Sequence, residues 1–141
     1  MSWRVLYDDD CGLCKWMLAG LLRWDRERVL VPVPLQSEEA GELLSDLAPA
    51  EAMGSWHLVA PDGRRFSAGA ALPVLLARLP GGRVPAAAFA AMPGLTERGY
   101  RWVAEHRAGL ARFVPVSSKQ RAAEYVGTKK AAARRPLPGT A

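Results

Sequence analysis

Residues 3–35 restrict the fold more than any other part of the chain. Trp3–Tyr7 is a short apolar run that stops on three aspartates, Asp8–Asp10, the pattern of a strand ending in a turn. From Cys11 to Trp24 apolar residues recur at three- and four-residue spacing, with Trp16, Met17, Leu21, Leu22 and Trp24 on the stripe. That spacing predicts a helix with Lys15 and Arg23 towards water. Val29–Leu35 is again strand-like, and Pro32 and Pro34 place it at a sheet edge, because neither can donate to a ladder. Strand, helix and strand in this order imply a parallel pair with a right-handed crossover.

The remaining elements extend that sheet. Ser37 followed by Glu38, Glu39 and Glu42 reads as a capped helix to about Leu47. Ser55–Ala60, the turn Pro61-Asp62-Gly63 and Arg64–Ser67 read as an antiparallel hairpin. Gly69–Leu79 is helical by its Leu72, Leu75, Leu76 and Leu79 stripe, with Pro73 tolerated in the first turn. A shorter helix is expected over Pro85–Met92 and a longer one over Thr96–Phe113, with Tyr100, Val103, Leu110 and Phe113 inward. The fold class is α/β: about four strands in a mixed sheet, in the order β-α-β-α-β-β-α, then one or two further helices.

The chain has 141 residues, half of them hydrophobic, with 11 aromatics of which five are Trp. That is enough for one core and argues against wholesale disorder. No apolar run reaches the roughly 18 residues of a membrane span. No apolar segment follows the N-terminus as a secretory leader would require, and two Cys are too few for a disulfide scaffold. A soluble cytoplasmic domain is expected. The net charge of +5 lies wholly in residues 116–141, where Lys119, Arg121, Lys129, Lys130, Arg134 and Arg135 face the single Glu124. Residues 1–115 are electrically balanced and form the expected domain. The basic remainder, 116–141, reads as mostly disordered, with a few helical turns near Gln120–Tyr125. With no aromatic interleaving it predicts weak, salt-sensitive attraction to polyanions and no specific nucleic-acid binding. Oligomeric state leaves no trace in the sequence.

The chemistry concentrates in Cys11-Gly12-Leu13-Cys14. A C-x-x-C at a strand–helix junction puts Cys11 at a helix N-terminus, where unpaired N–H groups and the positive dipole end stabilise a thiolate. Cys14 lies one turn further on the same face, within reach of a disulfide. Thiolate is the attacking species, so Cys11 would form a mixed disulfide that Cys14 resolves. Gly12 leaves room for a substrate to approach the first sulfur. The carboxylates of Asp8, Asp9 and Asp10 oppose the dipole at Cys11, unless Asp10 caps the helix. A less acidic Cys11 would make the pair more reducing. Asp8, if buried under the helix, could accept the proton of Cys14.

The stretch Tyr7-Asp8-x-Asp10-Cys11-x-Leu13-Cys14 resembles the signature of the DCC family of thiol-disulfide oxidoreductases, a thioredoxin-like group. Trp56-His57-Leu58-Val59, Asp62-Gly63-Arg64, Gly69-Ala70-Ala71-Leu72, Leu79-Pro80-Gly81-Gly82 and Tyr100-Arg101-Trp102-Val103 are similar to its later blocks in the same order, so the resemblance spans about residues 3–115. It implies a thioredoxin-like fold, Cys11 as nucleophile, Cys14 as resolving thiol, Asp8 and Asp10 as the acidic pair, protein or small-molecule thiols as partners, and no bound cofactor. Asp9 departs from the Gly usual in the family, and Asp10 stands where thioredoxin has Trp. Met53-Gly54-Ser55 occupies the place of the thioredoxin Pro that presents backbone to substrate.

Other readings compete. A zinc site would need two ligands beyond the cysteines, from His57, His106 or acids. A strand ending in D-x-D also opens haloacid-dehalogenase-type phosphatases, but that fold needs a longer chain with a later Lys and acidic pair. The bland reading of the acidic run is a solvated turn. His57, between Trp56 and Leu58, is expected as a surface or satisfied core histidine, and His106 has less claim to chemistry. Trp3, Trp16 and Trp24 are expected in the core, Trp16 also as a flank to the thiols. Tyr100, Trp102, Arg107 and Arg112 read as a closing helix or a docking face. A non-enzymatic interaction scaffold with a basic tail is the alternative function.

Overall fold

The computed structural model describes residues 2–134. Strands β1 (Trp3–Tyr7), β2 (Leu30–Pro34), β3 (His57–Val59) and β4 (Arg65–Ser67) form one sheet in the order β2-β1-β3-β4. β1 runs parallel to β2, from Trp3 opposite Leu30 to Tyr7 opposite Pro34, and antiparallel to β3, with Leu6 opposite His57. β2 is an edge, as its prolines require. β3 and β4 form the expected hairpin, closed through Gly63 at φ +90°, where a β-carbon would be strained.

Eight α-helices are described: α1 (Gly12–Trp24), α2 (Glu38–Leu43), α3 (Pro49–Met53), α4 (Ala71–Leu76), α5 (Arg83–Ala91), α6 (Pro93–Glu105), α7 (Arg107–Leu110) and α8 (Val116–Arg134). The Ser37 hydroxyl accepts from the Ala40 N–H at 3.2 Å and opens α2. Buried Asp25 follows α1, and its two oxygens accept from Val29 N–H at 3.1 Å and Leu30 N–H at 2.8 Å, fixing the entry into β2.

The two-residue period of β1 divides the core between the sheet's faces. Trp3, Val5 and Tyr7 pack with Leu18, Ala19 and Leu22 of α1, Leu75 of α4, and Ala122 and Val126 of α8. Leu6 points the other way, with Val33, Ala40, Leu44 and Val59. Leu6, Leu58 and Leu75 are fully buried, and each contributes about 2 kcal/mol by leaving water. The architecture is thioredoxin-like: a mixed four-stranded sheet covered on both faces.

Several local expectations change. Residues 116–134 are helical rather than mostly disordered, because Ala122 and Val126 find a partner surface on α1; the rest of the expected tail, 135–141, lies outside the described residues. Residues 96–113 do not make one helix: the chain breaks at His106 between α6 and α7, and Phe113 is exposed instead of inward. The Gly69–Leu79 helix begins as a 3₁₀ turn, Ala68–Ala70, and α4 ends at Leu76. Trp16, Met17 and Trp24 face outward, and the buried side of α1 is Leu13, Leu18, Ala19 and Leu22. A helix apolar on most of its circumference leaves its own orientation open, and the sheet selects one side.

His57 is a satisfied core histidine. Its Nε2 donates to Ala52 O at 2.9 Å and its Nδ1 accepts from the Ser67 hydroxyl at 2.6 Å. Burial, and secondarily Arg65, hold its pKa below the ordinary 6.5, against the pull of the Ala52 carbonyl. A depressed pKa means that the unfolded chain takes up the proton first. The stability tied to neutral His57 is therefore complete above the ordinary value and is lost as pH falls through the folded-state value. Denaturant midpoints measured between pH 7 and pH 5 should fall, and His57→Gln should flatten this acid limb while lowering stability at pH 7.

Candidate active site

The site forms where β1 runs into α1. Cys11 is the N-cap of α1, with extended backbone (φ −96°, ψ 108°), and its Sγ accepts from Cys14 N–H at 3.2 Å. The sulfur, not the Asp10 carboxylate, thus fills the capping position. The reason lies one residue earlier: Asp8 Oδ1 accepts from Asp10 N–H at 3.0 Å, an Asx turn that keeps Asp10 outside the helix. Both cysteines are unbridged thiols of intermediate exposure. Cys14 is held up to about 12, first by burial, then by its hydrogen bond with Cys11 and that sulfur's charge; Asp8 pushes the same way and Arg107 opposes.

The three aspartates are engaged with the protein rather than left as a bare negative patch. Asp8 also accepts from Gln36 Nε2 at 2.9 Å and meets Arg107 Nη1 at 3.4 Å. Asp9 accepts from the Tyr7 hydroxyl at 3.2 Å, while its N–H donates to Gln36 Oε1 at 3.2 Å. Asp10 Oδ2 meets Gln36 Nε2 at 3.4 Å. Burial and the Asp9 charge raise the Tyr7 hydroxyl well above its ordinary value, so it remains a donor.

Gly12 serves a different purpose from the one expected. A β-carbon there would lie 3.2 Å from Cδ of Lys119, so the open space admits the stem of a lysine from α8 rather than a substrate. The Lys119 ammonium donates to Ala111 O at 3.1 Å. Opposite, continuing the β1–β3 register past Leu6 and His57 puts Trp56 beside Tyr7 and Ser55 beside Asp8. Trp56 N–H donates to the Tyr100 hydroxyl at 3.3 Å. Burial raises the Tyr100 hydroxyl pKa, and the Cys14 charge pushes the same way. An open groove of about 370 Å³ runs from Tyr100 past Gly54, Ser55, Glu51 and Glu105.

The family model of DCC1-like thiol-disulfide oxidoreductases matches residues 5–113, well over half of the chain. The chain belongs to the DCC1-like thiol-disulfide oxidoreductase family. No curated protein and no solved structure matches it. In this DCC1-like chain all four sequence-predicted site residues, Asp8, Asp10, Cys11 and Cys14, lie in one turn and its helix start. Sequence reasoning missed Gln36, Lys119 and the place of Tyr100, and took Arg107 as part of a closing helix or a docking face. Gln36 alone had a legible signal, a polar residue just after a strand parallel to β1, at the same sheet end as the Asp run. Among the described residues no three His, Cys, Asp or Glu gather as a metal site, and no helix is long and apolar enough to cross a membrane.

Proposed function

We propose that the protein is a thiol-disulfide oxidoreductase that acts through a reversible Cys11–Cys14 disulfide. The observation that carries this reading is the Cys11 sulfur at the N-cap of α1, one turn from a second unbridged thiol. The Cys11 thiolate attacks a substrate disulfide, one substrate sulfur leaves as thiolate, and a mixed disulfide forms. Cys14 then loses its proton and attacks the Cys11 sulfur. The protein disulfide forms, the second substrate thiolate leaves, and two electrons have passed from the dithiol to the substrate. The reverse sequence oxidises a substrate dithiol.

Asp8 is the proposed proton acceptor for Cys14, because a thiol held up to about 12 needs a base nearby at neutral pH. Asp10 is the other member of the proposed acidic pair, keeping the turn in register through Gln36. The groove beside Tyr100 suits an extended substrate segment, with Gly54 and Ser55 in the place where thioredoxins present backbone. A cytoplasmic setting belongs to the same proposal, since thiols there are kept reduced.

Thiol counting and intact mass across a redox titration test the reading. The expected result is a two-electron interconversion in which both thiols disappear together with the loss of two hydrogens. The rate of the second step should rise with pH while Cys14 remains mostly protonated. If the thiols never interconvert with an intramolecular disulfide, the fold is an interaction scaffold instead.

A further inference from the structure

We propose that Arg107 is the positioning residue for the resolving step, holding the Asp8 carboxylate beside Cys14 and balancing its charge at that sulfur. The inference rests on the disulfide-exchange reading and deepens it by naming a group on a different helix. Asp8 is largely buried, its side chain 17% exposed, and its two oxygens are divided. Oδ1 is occupied by Asp10 N–H at 3.0 Å and Gln36 Nε2 at 2.9 Å, whereas among the described residues Oδ2 meets only Arg107 Nη1, at 3.4 Å. Oδ2 is therefore the oxygen left to take a proton.

Arg107 reaches this oxygen because the helical chain is broken one residue earlier. The His106 N–H and ring Nδ1 both donate to Trp102 O, at 3.0 and 2.7 Å, and the ring stacks on Trp102 with centroids 4.5 Å apart. The chain then restarts as α7 against α1. The groups facing Cys14 are Cys11 from its own helix, Asp8 from the preceding turn, Tyr100 from α6 and Arg107 from α7. Lys119, on α8, directs its ammonium to Ala111 O. Among these groups only Arg107 brings a positive charge to Cys14.

The charge balance explains why a cation belongs there. Before resolution the carboxylate is negative and the thiol neutral. After the proton moves to Oδ2 the carboxyl is neutral and the sulfur negative, and the guanidinium, 3.4 Å from Oδ2, also favours the charge on that sulfur. The Cys14 thiolate then attacks the Cys11 sulfur, and the bonding pair of the old S–S bond leaves with the substrate thiolate. Without Arg107 no cation offsets the negative charge that develops on the Cys14 sulfur, and its ionisation is opposed.

The test uses the full chain and 5,5′-dithiobis(2-nitrobenzoate), whose coloured thiolate is released once when Cys11 attacks the reagent and again when Cys14 attacks the mixed disulfide. Arg107→Ala should leave the first release within about twofold. It should slow the second about tenfold at pH 7 and move its pH profile about one unit towards alkali, the consequence of a one-unit rise at Cys14. Arg107→Lys should restore most of the rate, and Arg107→Gln, which keeps the chain length, should not. In an Asp8→Asn background Arg107→Ala should have a smaller effect than in the wild type, since only its direct charge on Cys14 is then lost, and Arg112→Ala should leave the profile unchanged. Two releases from the wild type with an unchanged profile for both Arg107→Ala and Arg107→Gln would overturn the role of Arg107 alone. A single release from the wild type would overturn the exchange reading itself.

Discussion

Replacing Cys11 by Ser should reduce disulfide exchange to the uncatalysed background, whereas replacing Cys14 by Ser should stop it halfway, with substrate covalently attached. The asymmetry follows from where each sulfur sits. Cys11 is the N-cap of α1, with the unpaired N–H groups and positive dipole of that terminus around its sulfur. A hydroxyl there keeps the cap but stays protonated at any working pH, so no attacking anion forms. Cys14 is held up to about 12, first by burial, so it remains a thiol until a mixed disulfide places a reactive sulfur next to it. Its loss leaves the first step intact and removes the only intramolecular exit. Non-reducing electrophoresis and intact mass should show a stable adduct for Cys14→Ser and none for Cys11→Ser. Equal activity in the two variants would refute the assigned roles, and the trapped adducts would identify the substrate.

The second large effect concerns the C-terminal helix. Val126→Asp should destabilise the protein by about 3 kcal/mol or more, because a carboxylate would enter an apolar contact with no partner. Val126 is 1% exposed, and Ala122 and Val126 belong to the same cluster as Leu18, Ala19 and Leu22 of α1. A change of that size corresponds to a fall in Tm of roughly 10 °C for a domain of this length. Arg121→Asp, one residue before Ala122 but exposed, should move Tm by only a degree or two. If both substitutions were silent, α8 would not be part of the folded unit. The loss should also reach the thiols, since the stem of Lys119 fills the space over Gly12.

The contrast between α1 and α8 shows how far a pattern in sequence carries. The Asp8–Cys14 stretch was legible because its chemistry is local: a strand end, an Asx turn, an N-cap and one helical turn are all set by neighbours within a few residues. Ser37 and the Pro61-Asp62-Gly63 hairpin were legible for the same reason. Residues 116–134 were not, since their composition is basic, Ala-rich and almost without amphipathic period. Two small buried positions, Ala122 and Val126, with half-buried Tyr125 beside them, seat the helix on the core. Tertiary burial made a helix of a segment whose own preference was weak.

The residues around Cys14 divide along the same line. Asp8, Asp10, Cys11 and Cys14 lie within seven residues, and their types pointed to the proposed chemistry and to the family before any fold was drawn. Gln36, Tyr100, Arg107 and Lys119 come from four other segments, and Arg107 lies 99 residues from Asp8. None belongs to a local motif that names its partner. Their meeting at one end of β1 depends on the parallel pairing with β2, the break at His106 and the docking of α8. Short-range backbone geometry was thus enough to specify which atoms are proposed to exchange electrons. The charges and stems that surround those atoms were decided only by long-range packing, because a side chain's partner across the fold is selected by burial and shape, which no sequence window contains.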